Sequence, residues 1–122
     1  MVSNAIELDR TRVLLDILSD RWTVPALGAL CDSGGAARFN ALRRALPAVS
    51  QKSLAACLRR LEMNGLVERH VFTKGRLAVE YRVTQLGHSI EAPVLALVAW
   101  SEQFGDQVDA ARSRYREDAL TA

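Results

Sequence analysis

A chain of 122 residues is the size of one ordinary domain, and with 49% hydrophobic and 25% charged residues it can bury a core, which excludes wholesale disorder. No apolar run approaches the roughly 20 residues needed to cross a bilayer, and the opening MVSNAIELDRTR has no basic region followed by an apolar stretch; a cytoplasmic chain without membrane contact is expected. The net charge is only +2, but it is segregated: residues 38–76 hold nine basic and two acidic side chains, a net +7, against −5 for the rest, the electrostatic footprint of a surface that meets phosphate.

In chain order, Val13, Leu14, Ile17 and Leu18 recur at helical spacing and predict a first helix over 10–19. Asp20–Thr23 breaks it. Thr23 is expected to cap a second helix with Pro25 in its first turn, running to about Cys31 and closed by Ser33-Gly34-Gly35. A third helix is expected from Phe39, capped by Asn40, with Leu42 and Leu46 inward and Pro47 as its stop. Ser50 then caps a fourth, which runs to about Met63 and ends at Asn64-Gly65. There the period changes. Residues 67–73 and 78–84 alternate as two strands joined at Lys74-Gly75-Arg76, an antiparallel hairpin with one face buried. Thr84 is expected to cap a last helix to about Tyr115, apolar on nearly all sides between Ala92 and Trp100. A helix of that kind must be covered all round, and in so small a protein a second copy of the chain is the expected cover.

The elements define a mostly α chain with a small β-hairpin (α+β), a single domain over 1–122 with its core at 9–104 and a helical extension at 105–122. Two helices joined by a tight turn and followed at once by a hairpin make a winged helix-turn-helix with N- and C-terminal dimerisation helices. Its fourth helix sets Leu54, Cys57, Leu58 and Leu61 on one face and Lys52, Ala56 and Arg59 on the other, flanked by Ala55 and Arg60, with Gln51 at the N-terminal edge. That front suits the major groove of double-stranded DNA: Arg pairs bidentately with guanine, Gln with adenine, and Ala meets the thymine methyl. Asn40 and Ser50 at helix N-termini, with Arg38, Arg43, Arg44 and Lys52, are candidates for the phosphate backbone, and Lys74 and Arg76 for the adjoining minor groove.

No catalytic residue, metal site or cofactor is expected. His70 and His88 lie on different elements without a nucleophile or paired carboxylate, Gly34-Gly35 is too short for a phosphate loop, and Cys31 and Cys57 are neither a C-x-x-C pair nor flanked by a ligand His. The competing reading is a winged helix that binds only other proteins, and the basic window speaks against it. Trp22, Trp100 and Phe104 are candidates to line a pocket for a small apolar effector.

DRWTVPALGAL (20–30), RFNALRRALPAVSQKSLAACLRRLEMNGLVER (38–69), VEYRVTQLGHSI (79–90) and PVLALVAW (93–100) together resemble the HxlR-type winged-helix regulators of bacteria and archaea, relatives of the MarR-like group, over residues 9–104. The resemblance implies dimerisation through the first and last helices, here Val13, Leu14, Ile17, Val94, Leu95, Leu97, Val98 and Phe104. It also implies recognition of a pseudo-palindromic operator by the fourth helix, backbone contact by the wing, and a role that is often repression. Two positions depart from the family pattern. Asp9 stands where many members carry a cysteine, through which some of them sense oxidants or electrophiles, and Ala78 stands where an arginine precedes the VEY motif.

Overall fold

The computed structural model describes residues 8–121 apart from 74, 76 and 77. Its elements are α1 (Leu8–Leu18), α2 (Thr23–Asp32), β1 (Ala36–Arg38), α3 (Phe39–Ala45), α4 (Gln51–Met63), β2 (Val67–Phe72), β3 (Ala78–Val83), α5 (Gln85–Ser89) and α6 (Glu91–Thr121). They fall into two compact units, residues 1–89 and 90–122. The first is a mostly helical body with a small antiparallel sheet, and the second is a single long helix.

The core of the first unit is where the apolar stripes of three helices meet. Ala26, Leu27 and Leu30 of α2, Leu42 of α3, and Leu54, Cys57, Leu58 and Leu61 of α4 are buried, joined by Val49 from the α3–α4 turn and Leu66 and Val67 from the entry to the sheet. Burying a leucine of this kind is worth about 1.5–3 kcal/mol, so the apolar back of α4 decides which way that helix faces.

Helix ends are closed mainly by backbone. At the end of α4 the Leu66 N–H reaches Leu61 O at 3.0 Å and the Gly65 N–H reaches Glu62 O at 3.0 Å, the paired closure that needs a left-handed residue at its centre. Gly65 supplies it with φ +77°. The end of α2 closes in the same way, Gly35 N–H to Leu30 O at 2.9 Å and Gly34 N–H to Cys31 O at 3.1 Å. The chain then passes into β1. The sheet order is β1-β3-β2, with Ala37 opposite Tyr81 on one side of β3 and Arg69 opposite Tyr81 on the other. The central strand therefore ties the wing to the segment that leads into α3.

Several expectations change. Thr23 does not cap α2: it is the first helical residue and 2% exposed, Trp22 occupies the cap position without a side-chain bond, and the Asp20 carboxylate accepts the Trp22 N–H at 2.8 Å. Asn40 does not cap α3 either. Arg38 holds that position, so Asn40 lies one residue inside the helix. The strand β1 was not foreseen, because three residues carry no readable alternation. The hairpin buries less than expected: Val67 at its base is buried, but Val71 and Phe72 are 48% and 41% exposed, because the distal wing reaches past the body. Thr84 caps the short α5, not the long helix. Its hydroxyl accepts the Gly87 N–H at 3.0 Å and donates to Gly65 O at 2.6 Å. The long helix starts afresh at Glu91 and runs to Thr121, past the expected Tyr115.

Candidate nucleic-acid interface

The recognition element is assembled from its cap outward. The Ser50 side chain accepts the Ser53 N–H at 3.0 Å, so α4 begins sharply on the residue the sequence predicts; such a cap contributes about 1 kcal/mol. From this start the 3.6-residue period puts Leu54, Cys57, Leu58 and Leu61 at 0–2% exposure and turns Gln51, Lys52 and Arg59 to solvent, with Ala55 and Ala56 half-buried between them. The small alanines leave room for an approaching surface between longer polar arms.

Arg60 behaves differently from Arg59. Its Nη1 bonds the Asp20 Oδ2, with the Asp20 side chain only 11% exposed and that of Arg60 42% exposed. The other Asp20 oxygen holds the Trp22 N–H. One carboxylate thus fastens the flank of α4 to the corner between α1 and α2. Cys57 lies beside this corner. Burial pushes its thiol up to about 11, the nearby Asp20 charge adds to the rise, and a hydrogen bond with the Thr23 side chain and the Arg60 charge pull partly the other way. At neutral pH the thiol is protonated and unreactive, a small apolar filler. The sequence places Arg60 on the flank of that front as one more basic side chain; the signal for its partner is Asp20, an acid 40 positions away.

Around α4 the remaining basic groups are open. Arg38, Arg43 and Arg44 are exposed at the two ends of α3, and Asn40, Arg43, Arg44, Pro47 and Val49 line a shallow open depression beside the α3–α4 turn. Arg43 and Arg44 also sit in the last turn of α3, where positive charge suits the helix dipole. Arg69 is exposed on β2. One face of the wing is a charged lattice: His70 Nε2 lies 3.0 Å from Glu68 Oε2, Arg82 Nε donates to Glu80 Oε1 at 2.6 Å, and the Arg82 guanidinium covers the Phe72 ring at 5.6 Å. These contacts hold the exposed strands without a core behind them. Lys74 and Arg76, the expected wing-tip contacts, lie outside the described residues, while Gly75 between them has φ +84°.

The residues assigned to self-association have mixed environments. Val13 and Leu14 on α1 are 60% and 46% exposed, Leu95 and Leu97 on α6 are 58% and 55% exposed, and Ile17, Val98 and Phe104 are half-buried. Val94 is already buried within the chain. Of the proposed effector-pocket residues, Trp22 belongs to the first unit. Trp100 and Phe104 belong to α6, where their rings pair at 5.8 Å with a 41° tilt.

A capped, apolar-backed helix with a polar front, preceded by a short helix and a tight turn and followed by a two-stranded hairpin that pairs with β1 in a three-stranded sheet, defines a winged helix-turn-helix DNA-binding protein. The model of the HxlR-like helix-turn-helix family matches residues 17–109, and the chain belongs to that family. Its relatives include the HTH-type transcriptional regulator YdeP of Bacillus subtilis, 35% identical over 78% of this chain and 73% of YdeP. Among solved structures, the redox regulator HypR in its reduced form superposes with a TM-score of 0.73 at 32% identity, covering 83% of this chain and 98% of HypR. Diamide-treated YodB of B. subtilis follows at 0.70 and 31%, covering 82% and 97%. The family is one of transcriptional regulators, not enzymes. Among the described residues no helix is long and apolar enough to cross a membrane.

Proposed function

We propose that this chain works in the cytoplasm as a homodimer that binds a pseudo-palindromic operator and represses transcription. Gln51, Ala55, Ala56 and Arg59 form the base-reading face; Arg38, Asn40, Arg43, Arg44, Ser50 and Lys52 meet the phosphate backbone, and Lys74 and Arg76 serve the wing. Arg60 contributes from the flank, by fixing the rotation of α4 through Asp20. The observation that carries the reading is the division of α4, whose apolar residues are at most 2% exposed while Gln51, Lys52 and Arg59 face solvent beside an open basic surface. The exposed leucines and valines of α1 and of the start of α6 support a second copy as their cover. Two such α4 helices fit successive major-groove faces about 34 Å apart.

HypR is a redox regulator and YodB was solved after diamide treatment. That mode of response is not carried over here: the position matching the family's sensing cysteine is Asp9, and Cys57 is buried and protonated.

Selection of bound sequences from a random duplex pool tests the proposal. Recovery of a two-fold-symmetric site with half-sites one helical turn apart is expected. On that site Arg59→Ala should weaken binding by about 1–3 kcal/mol per half-site and relax the preference at one base pair in each. Unchanged affinity would move the reading face elsewhere, and an asymmetric single half-site would remove the dimer.

A further inference from the structure

No histidine flanks Cys31 in the sequence, but the fold of the first unit supplies one. The Cys31 Sγ and a ring nitrogen of His88 lie within 4.8 Å of each other. Cys31 is half-buried in the last turn of α2, and His88 is exposed near the end of α5. Neither side chain belongs to the DNA-reading face.

Both donors stand on fixed backbone. Just after Cys31 the chain turns through Gly34 and Gly35, and the Gly35 carbonyl accepts the Val83 N–H at 2.8 Å, which ties this turn to the end of β3. His88 is held from the other side. Its N–H donates to Thr84 O at 2.9 Å, and its neighbour Gly87 packs so closely that a Cβ there would stand 2.1 Å from the Leu66 carbonyl oxygen. The imidazole lies against the turn itself: a Cβ on Gly35 would be 3.7 Å from His88 Nε2. Donors on rigid elements keep their spacing, which is what an ion site requires.

A thiolate and a neutral imidazole are donors that zinc-class ions favour. A tetrahedral ion bonded at about 2.3 Å to sulfur and about 2.0 Å to nitrogen sets these donors about 3.5 Å apart, so closing the pair on an ion asks for about 1.3 Å of side-chain movement at most. The local field has the sign a cation needs. The C-terminal end of a helix carries partial negative charge, and α2 ends on Asp32 with no basic side chain in its last turn. We infer that Cys31 and His88 are two ligands of a site for a thiophilic divalent cation of the zinc class, with the ion's remaining positions open to other donors. On binding, the Cys31 S–H bond breaks, its proton leaves to solvent and the sulfur bonds the metal, with no change of oxidation state. Cys57, buried and held protonated, offers no such ligand.

Titration of the full chain with Co(II) under reducing, oxygen-free conditions tests it. A thiolate-to-cobalt charge-transfer band in the near ultraviolet is expected to saturate at a single ion per chain, and Zn(II) should bleach it by displacing the cobalt. Cys31→Ser should abolish the band. His88→Gln should weaken cobalt binding about tenfold or more, since even the outer partners of metal ligands are worth that much. His70→Ala, which removes the other histidine, should leave the titration unchanged. Far-ultraviolet circular dichroism of every variant checks that the helices persist, and Cys31→Ala and His88→Ala serve as second variants at each position. No band in the wild-type chain at excess Co(II), a band that survives loss of Cys31, an unchanged affinity without His88, or a band that Zn(II) does not bleach overturns the site. None of these outcomes bears on DNA binding, which is measured separately.

Discussion

Removing Arg60 separates its two possible uses, as a DNA contact or as a brace for the recognition helix. Arg60→Ala leaves the Asp20 carboxylate, 11% exposed, with only the Trp22 N–H as a partner among the described residues. A charge-assisted hydrogen bond of this type contributes about 1.5–3 kcal/mol. The Arg60 side chain is 42% exposed, so solvent screening brings the expected loss of stability to about 1–2 kcal/mol. Asp20→Ala also frees the Trp22 N–H and should cost about 2–3 kcal/mol. Urea unfolding of both single variants and the double variant gives the coupling directly, expected near 1 kcal/mol. DNA binding supplies the second readout. If Arg60 braces α4, Arg60→Ala weakens binding without altering the slope of log affinity against log salt, whereas Lys52→Ala, which removes one phosphate contact from each protomer of the proposed dimer, lowers that slope by about 1.8. A coupling below about 0.3 kcal/mol, or an Arg60→Ala salt slope that falls as far as the Lys52→Ala slope, refutes the brace.

Gly87 should tolerate no side chain: a Cβ there would stand 2.1 Å from the Leu66 carbonyl oxygen and 2.7 Å from Val83 Cγ1, so Gly87→Ala is expected to destabilise by about 3 kcal/mol or more in thermal unfolding, and a wild-type melting temperature would contradict the packing. For Cys57 the sign follows from a thiol near 9.0 when unfolded and about 11 when folded. The folded chain keeps a proton that the unfolded chain loses between those values, so this contribution is complete below pH 9 and is lost as pH rises toward 11, on the order of 2–3 kcal/mol in all. Cys57→Ala should flatten that decline relative to wild type in unfolding measured from pH 8 to 11; parallel curves would show that the thiol is not held protonated.

Where the sequence was informative, one physical signal acted over a whole element. The period of α4 with its Ser50 cap, the change of period at Val67 and the glycine at 65 each specify local backbone, and the structure follows them closely. What could not be read depends on distant partners. Thr23 resembles a helix cap by type, but its burial beside Cys57 is a property of the packed body. The strand β1 exists only because β3 lies alongside it. Arg59 and Arg60 are neighbours of identical chemistry, and only the position of Asp20 distinguishes an open arginine from an engaged one.

The three residues of β1 have a mechanical consequence. Arg38 is both the last residue of that strand, opposite Glu80, and the cap position of α3, so a force applied to the wing is transmitted through the sheet to the start of the helix-turn-helix. Hinged separately, the wing and the reading helix could each settle into whatever groove spacing a site offered. Yoked together, they form a caliper of fixed opening, and a site whose grooves are spaced differently must itself bend to fit.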